Sequence, residues 1–205
     1  MPARRSITRL IAGAALLSCL GLAGAKAAEA PRHVRGTITG YQNHELTLEK
    51  TRGGSETVKL GDDTGIFLVE KSNLASIKPD QFVGITSVEE NGKRVAREVH
   101  VFAEDLRGLG EGHYPWDLDS GPNMMTNANI AKVQDVGGDR VLKLNYSGGE
   151  QTISVPNDAA VVSFEKTSAD QLVAGRKVFI RMKPQTEGNT AAGVVVGAEG
   201  LKPPM

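Results

Sequence analysis

His100, Glu104, Asp105, Glu111, His113 and Asp117, followed by Met124 and Met125, gather imidazole, carboxylate and thioether groups in one short stretch. Imidazole and carboxylate suit zinc, nickel or copper, and thioethers favour Cu(I). The chemistry this set could do is therefore to hold a divalent or copper ion, with His100, His113, Glu111 and Asp117 as its ligands. Their spacing matches no established ligand motif, and a glycine-rich loop separates the two histidines. The ordinary structural alternative has the histidines and acids bonding loop backbone and pairing with Arg107, while Trp116 and Leu118 fill an apolar groove. The same stretch also offers a recognition surface built from Arg107, Glu111, His113, Tyr114, Trp116 and Asp117. His33 near the start of the body and His44 in a turn read as solvated surface residues.

No catalytic set stands out. None of the serines lies in a Gly-x-Ser-x-Gly elbow. The pairs Asp62-Asp63 and Glu89-Glu90 fall at turns, where acids are expected on conformational grounds. Gly108-Leu109-Gly110-Glu111-Gly112 has the glycines of a phosphate loop, but no Gly-Lys-Ser/Thr follows and no strand-loop-helix context surrounds it. The expectation is a protein that is not an enzyme and carries no obligatory cofactor.

The elements that must position these residues are written twice. Gly53-Gly54-Ser55-Glu56-Thr57-Val58 returns as Gly148-Gly149-Glu150-Gln151-Thr152-Ile153. Val69-Glu70-Lys71-Ser72 returns as Phe164-Glu165-Lys166-Thr167, and Phe82-Val83-Gly84-Ile85 as Lys177-Val178-Phe179-Ile180, all without a gap. An internal repeat constrains architecture before any local assignment. Each copy alternates apolar and polar residues over short runs separated by turn signals. Glu45-Leu46-Thr47-Leu48-Glu49 puts both leucines on one face, and Glu90-Asn91-Gly92 carries the Asn-Gly signal of a tight hairpin. Leu74-Ala75-Ser76-Ile77 and Asp170-Gln171-Leu172-Val173 read as single helical turns. This predicts an all-β chain of two small Greek-key barrels of the OB type, each with one short helical turn. The expected boundaries are 33–103 for the first barrel, 104–128 for a connector, 129–200 for the second barrel and 201–205 for a tail. Tyr114, Trp116, Leu118, Met124 and Met125 give the connector too much apolar surface for a solvated linker. It is expected to pack between the barrels with Trp116 largely buried.

Residues 1–27 read as a secretory leader. Arg4, Arg5 and Arg9 precede an apolar run, and Ala25-Lys26-Ala27 supplies a small-x-small cleavage site. The run is shorter than the ~20 apolar residues of a membrane span, and nothing later in the chain is apolar enough to be one. Arg4-Arg5 leaves a twin-arginine route open, and Cys19 a less favoured lipid anchor. Cys19 is the one cysteine of the chain, so cleavage after Ala27 leaves no thiol for disulfides or metal. The leader holds four of the 24 basic residues and none of the 24 acidic ones, which leaves a net charge of about −4. That charge lacks the basic footprint of a nucleic-acid binder, and aromatics at 4% are too few for base-stacking platforms.

The run Arg107-Gly108, Gly110-Glu111-Gly112-His113, Pro115-Trp116-Asp117-Leu118 and Met125-Thr126-Asn127-Ala128, with the tail Gly200-Leu201-Lys202-Pro203-Pro204-Met205, resembles an uncharacterised family of proteobacterial exported proteins. The resemblance covers essentially the whole mature chain. It implies two OB-like β domains flanking the connector and conveys no reaction. Some members carry the name "metal ABC transporter permease", which a chain without repeated apolar spans does not suit. The expected function is an exported, periplasmic, non-enzymatic binding or assembly module whose partner is a periplasmic protein or small ligand. The alternative is a metal-binding accessory protein using the connector histidines and carboxylates.

Overall fold

The computed structural model describes residues 32–118 and 121–205; the expected leader lies outside them. The described chain is all-β, and its helical content is confined to single 3-10 turns. No helix among the described residues is long and apolar enough to cross a membrane. The strands are β1 (His33–Gln42), β2 (Glu45–Lys50), β3 (Ser55–Lys71), β4 (Phe82–Glu90), β5 (Lys93–Phe102) and β6 (Gly112–Trp116). They continue as β7 (Asn123–Val136), β8 (Asp139–Tyr146), β9 (Gly149–Val155), β10 (Ala160–Lys166), β11 (Lys177–Met182) and β12 (Thr190–Gly197).

Local chemistry accounts for the hairpins. Leu46 and Leu48 alternate with polar neighbours in β2 and are fully buried. Asn43 and His44 take φ of 50° and 62° at the β1–β2 turn, and Asn91 and Gly92 take 50° and 73° at the β4–β5 turn. Paired positive φ angles twist a two-residue turn to match its flanking strands. His44 is thus an exposed turn residue. The helical turns fall at Leu74–Ser76 and Ala169–Gln171, and the first is capped by the Asn73 side chain accepting from the Ala75 N–H at 2.9 Å.

The expected division into one barrel per repeat does not hold. β1, β2 and β3 form a ring with β12 and β11: β3 pairs parallel with β12, and β11 pairs antiparallel with β1. The second ring is β4, β5, β9, β8 and β7, completed by a two-pair parallel contact of Arg94 and Val95 with Ile153 and Ser154. Each barrel therefore joins the first three strands of one repeat to the last two of the other. The cores follow the exchange: Val34, Ile38, Leu46 and Val58 pack with Val178, Ile180, Val194 and Val196. Ile85 and Val99 pack with Ile130, Leu142, Leu144 and Ile153.

The length of β3 explains the exchange. Its 17 residues span ~56 Å at ~3.3 Å per residue, well beyond the wall of one small barrel. Its first residues, Ser55–Lys59, pair with β2, and its last residues, Phe67–Lys71, pair with β10 outside the ring. The chain therefore leaves on the far side, where β4 begins. In the second copy Pro156 follows β9, and the same run becomes two strands, β9 and β10. The exchange keeps the repeat's symmetry. Gly193 pairs with Gly65 as Glu98 pairs with Ala160, and Gly197 with Val69 as Phe102 with Phe164.

The connector is also more ordered than the expected span 104–128. Its middle is strand β6, paired with β7, and its end is already the start of β7, which lies between β6 and β4. A third core of Phe82, Phe102, Phe164, Phe179, Val195 and Met205 fills the space between the two rings, with Trp116 packed against it.

Candidate functional site

The seam between the barrels carries a cavity of about 650 Å³ that is open to solvent on one side. Strands β3, β5, β10, β11 and β12 supply apolar walls through Phe67, Phe102, Phe164, Phe179 and Val195, and the connector closes one side with Leu109, Tyr114 and Trp116. Part of the opening comes from a difference between the repeats: where β5 carries Glu98 and His100, β12 carries Gly193 and Val195.

Asn127 on β7 holds the glycine loop in place. Its Nδ2 donates to the carbonyls of Leu109 and Gly110 at 3.1 and 3.2 Å and to the Tyr114 hydroxyl at 3.3 Å. Gly108 and Gly110 supply the positive φ angles of 86° and 62° that this loop requires. Arg107 anchors its start, donating to Glu104 at 2.6 Å, to the Asp80 carbonyl at 2.8 Å and to Asn129. The opposite lip is the tail: the Arg35 Nε donates to the Met205 carbonyl at 2.6 Å, and Met205 is buried in the cavity wall.

His33 is not the solvated residue expected from the sequence. Its side chain is 4% exposed, and its ring lies 4.6 Å from Trp116 and 5.0 Å from Phe179 between centroids. Burial lowers its pKa against the pull of Asp117, so the ring is neutral at pH 7. Burial works to raise the Asp117 pKa, and hydrogen bonds from Arg35 and His33 outweigh it, holding the carboxyl below its ordinary value. The 2.7 Å contact with ionised Asp117 therefore takes the proton of His33 Nδ1. Nε2 is left a bare acceptor, buried and without a protein partner. Trp116 Nε1–H and Asn127 Oδ1 are likewise buried and unpartnered beside the cavity. Unsatisfied buried groups are costly and call for explanation.

Two further titratable groups lie on β5, His100 in the cavity wall and Glu98 beside it. Burial pushes the Glu98 carboxyl up to about 8 and the His100 imidazole down to about 4. Both are uncharged at pH 7, so their 3.7 Å approach is not an ion pair. The Thr86 hydroxyl donates to Glu98 Oε1 at 2.5 Å, and His100 Nε2 lies 3.4 Å from the Pro204 carbonyl.

The residues expected to hold metal are dispersed. His113 Nδ1 bonds the Thr126 hydroxyl at 2.8 Å and its ring stacks on Tyr146, Glu111 accepts from the Ser147 N–H at 2.7 Å, and Asp117 is taken by His33 and Arg35. Among the described residues no three His, Cys, Asp or Glu side chains gather at one point. The glycine loop that separates the histidines in sequence turns them to different surroundings. The recognition set fares differently: Glu111, Tyr114 and Trp116 line the cavity, Asp117 orients His33, and Arg107 fixes the loop. Trp116 is half-buried rather than largely buried.

The sequence reading missed His33, Asn127, Arg181 and the tail residue Met205. A usable signal was the repeat itself, since Glu98 and His100 interrupt a position that the other copy fills with glycine and valine. No family model, no curated protein and no solved structure matches the chain.

Proposed function

We propose that the chain is a non-enzymatic binding module of an exported, periplasmic protein, as its leader and the family it resembles imply. It holds a small, largely apolar molecule in the cavity between its barrels. One observation carries this reading: an aromatic-walled space of about 650 Å³ is bordered by unpartnered buried polar atoms on His33, Trp116 and Asn127. Ligand sites are mostly apolar concavities of ~300–1,000 Å³ with a few placed polar groups that fix orientation.

Titration of the chain lacking residues 1–27 with the neutral dye N-phenyl-1-naphthylamine tests it. Saturable 1:1 binding with energy transfer from Trp116 is the expected result. An added Cβ at Gly193 meets Phe67 and Gly65 at an ordinary 3.7 Å, so Gly193→Leu should fold, project a side chain into the cavity and weaken dye binding. Absence of saturable binding, or equal binding by a folded Gly193→Leu protein, overturns the reading.

A further inference from the structure

We infer that the molecule held between the barrels is a small organic acid: an apolar, ring-bearing body with a single anionic head at Arg181. This rests on the cavity reading above and deepens it. Arg181 is the one cationic side chain in the cavity wall among the described residues. Its neighbour across the β1–β11 pairing is His33, and its positive field reaches both His33 and Tyr114. Among the described residues no hydrogen bond or ion pair engages its guanidinium. The other charged side chains nearby already have partners of their own. Asp63 is paired with Lys183 at 2.8 Å, Glu111 is held by Ser147, and Arg35 is divided between Asp117 and the Met205 carbonyl.

The cavity therefore sets a single cation among apolar walls. Arg181, His33 and Tyr114 are neighbours in the wall, while Phe67, Phe102 and Phe164 supply its apolar surface. A guanidinium presents a planar fork of donors that matches a carboxylate in two-point contact. Neutral His33 beside it adds no competing cation, and its bare Nε2 accepts a hydrogen bond from a hydroxyl or N–H on the ligand body. The Trp116 N–H supplies the complementary donor. An organic cation beside Arg181 fits poorly, because the guanidinium repels it and Asp63 is held by Lys183.

The experiment compares 2-naphthoate with its uncharged counterpart 2-naphthamide at pH 7, each by calorimetry and by displacement of N-phenyl-1-naphthylamine. The acid is expected to bind at least tenfold more tightly than the amide. Arg181→Gln should remove that preference while its thermal unfolding stays that of the parent, since Arg181 is exposed and unpaired. Arg97→Gln, which removes an equal charge on the outer face of β5, should keep the preference. Equal binding of acid and amide, a preference that survives Arg181→Gln, or one that Arg97→Gln also abolishes overturns the inference. Dye that binds in any of these cases leaves the cavity reading standing. Dye that fails to bind takes that reading down first.

Discussion

At the scale of single residues, Glu98 and His100 carry opposite consequences for pH. The folded-state pKa of Glu98, about 8, lies above its ordinary 4.5, so its protonation favours the folded protein and that contribution is lost as pH rises through this range. His100 has the reverse sign: its pKa falls from 6.5 to about 4, so folding gains as pH rises from about 4 to 6.5. The two oppose each other below pH 6.5, and from there to about 8 Glu98 acts alone. Stability should fall across that upper window with a slope of up to ~1.4 kcal/mol per pH unit. Glu98→Gln, which keeps an acceptor for Thr86, should flatten it. Denaturant unfolding at pH 6.5, 7.3 and 8 reads the slope, and an unchanged slope in the variant would place the titration elsewhere. The repeat marks Glu98 and His100 as departures from the other copy, but their burial is not legible from sequence. Glu98 follows Arg97 in a strand with charged neighbours, and only its register against Ala160 on β10 puts it inside. His33 was misread for a related reason: its burial comes from Trp116 and Phe179, both far away in the chain.

At the scale of elements, the connector strand and the tail bring the energetics to the site. Trp116 packs on Phe179 and His33 while half-buried, so Trp116→Ala should cost ~2 kcal/mol, below the ~3–5 kcal/mol of a fully buried indole. Urea unfolding followed by circular dichroism checks this, because the variant has no tryptophan to report. The tail turns back sharply at Gly197, where any Cβ would collide with the Leu201 carbonyl. Gly197→Ala should therefore lower stability by ~1–3 kcal/mol through overpacking. It should also free Met205 from the cavity wall and strengthen N-phenyl-1-naphthylamine binding, whereas a tail without influence on the cavity would leave the dye titration unchanged. Hairpins built on local alternation and Asn-Gly turns were readable in advance. Strand β6 was not, because Gly112-His113-Tyr114-Pro115-Trp116 becomes extended only through pairing with β7.

For the whole molecule, the exchanged strands tie the halves together. Residues 32–103 contain β1 to β5 and so lack the β11 and β12 needed to close the first barrel; residues 104–205 lack β4 and β5. Neither fragment should show cooperative thermal unfolding alone, while an equimolar mixture should regain the intact protein's circular dichroism and a single transition. Cooperative unfolding of either fragment would refute the coupling. The repeat and the all-β architecture were visible in the residues. The partnership between halves was not, because two self-similar repeats satisfy the same strand pairings within a copy or across copies, and alternation along a strand is blind to which.

The interlacing is also a matter of where the chain happens to be cut. Arg32 lies beside β11 through the Met182 N–H, and Met205 is held by Arg35, so both ends of the described chain meet at the first barrel. Join them by a short glycine-serine linker, open the loop at Lys78–Gln81, and the strands run in a new order. β4 to β9 now come in succession, β6 among them, then β10, and after it β11, β12, β1, β2 and β3. The contacts are unchanged, yet each barrel becomes a continuous stretch of polypeptide. Such a circular permutant would turn two interlaced repeats into two tandem modules, still joined in space by β10 and the aromatic core between them.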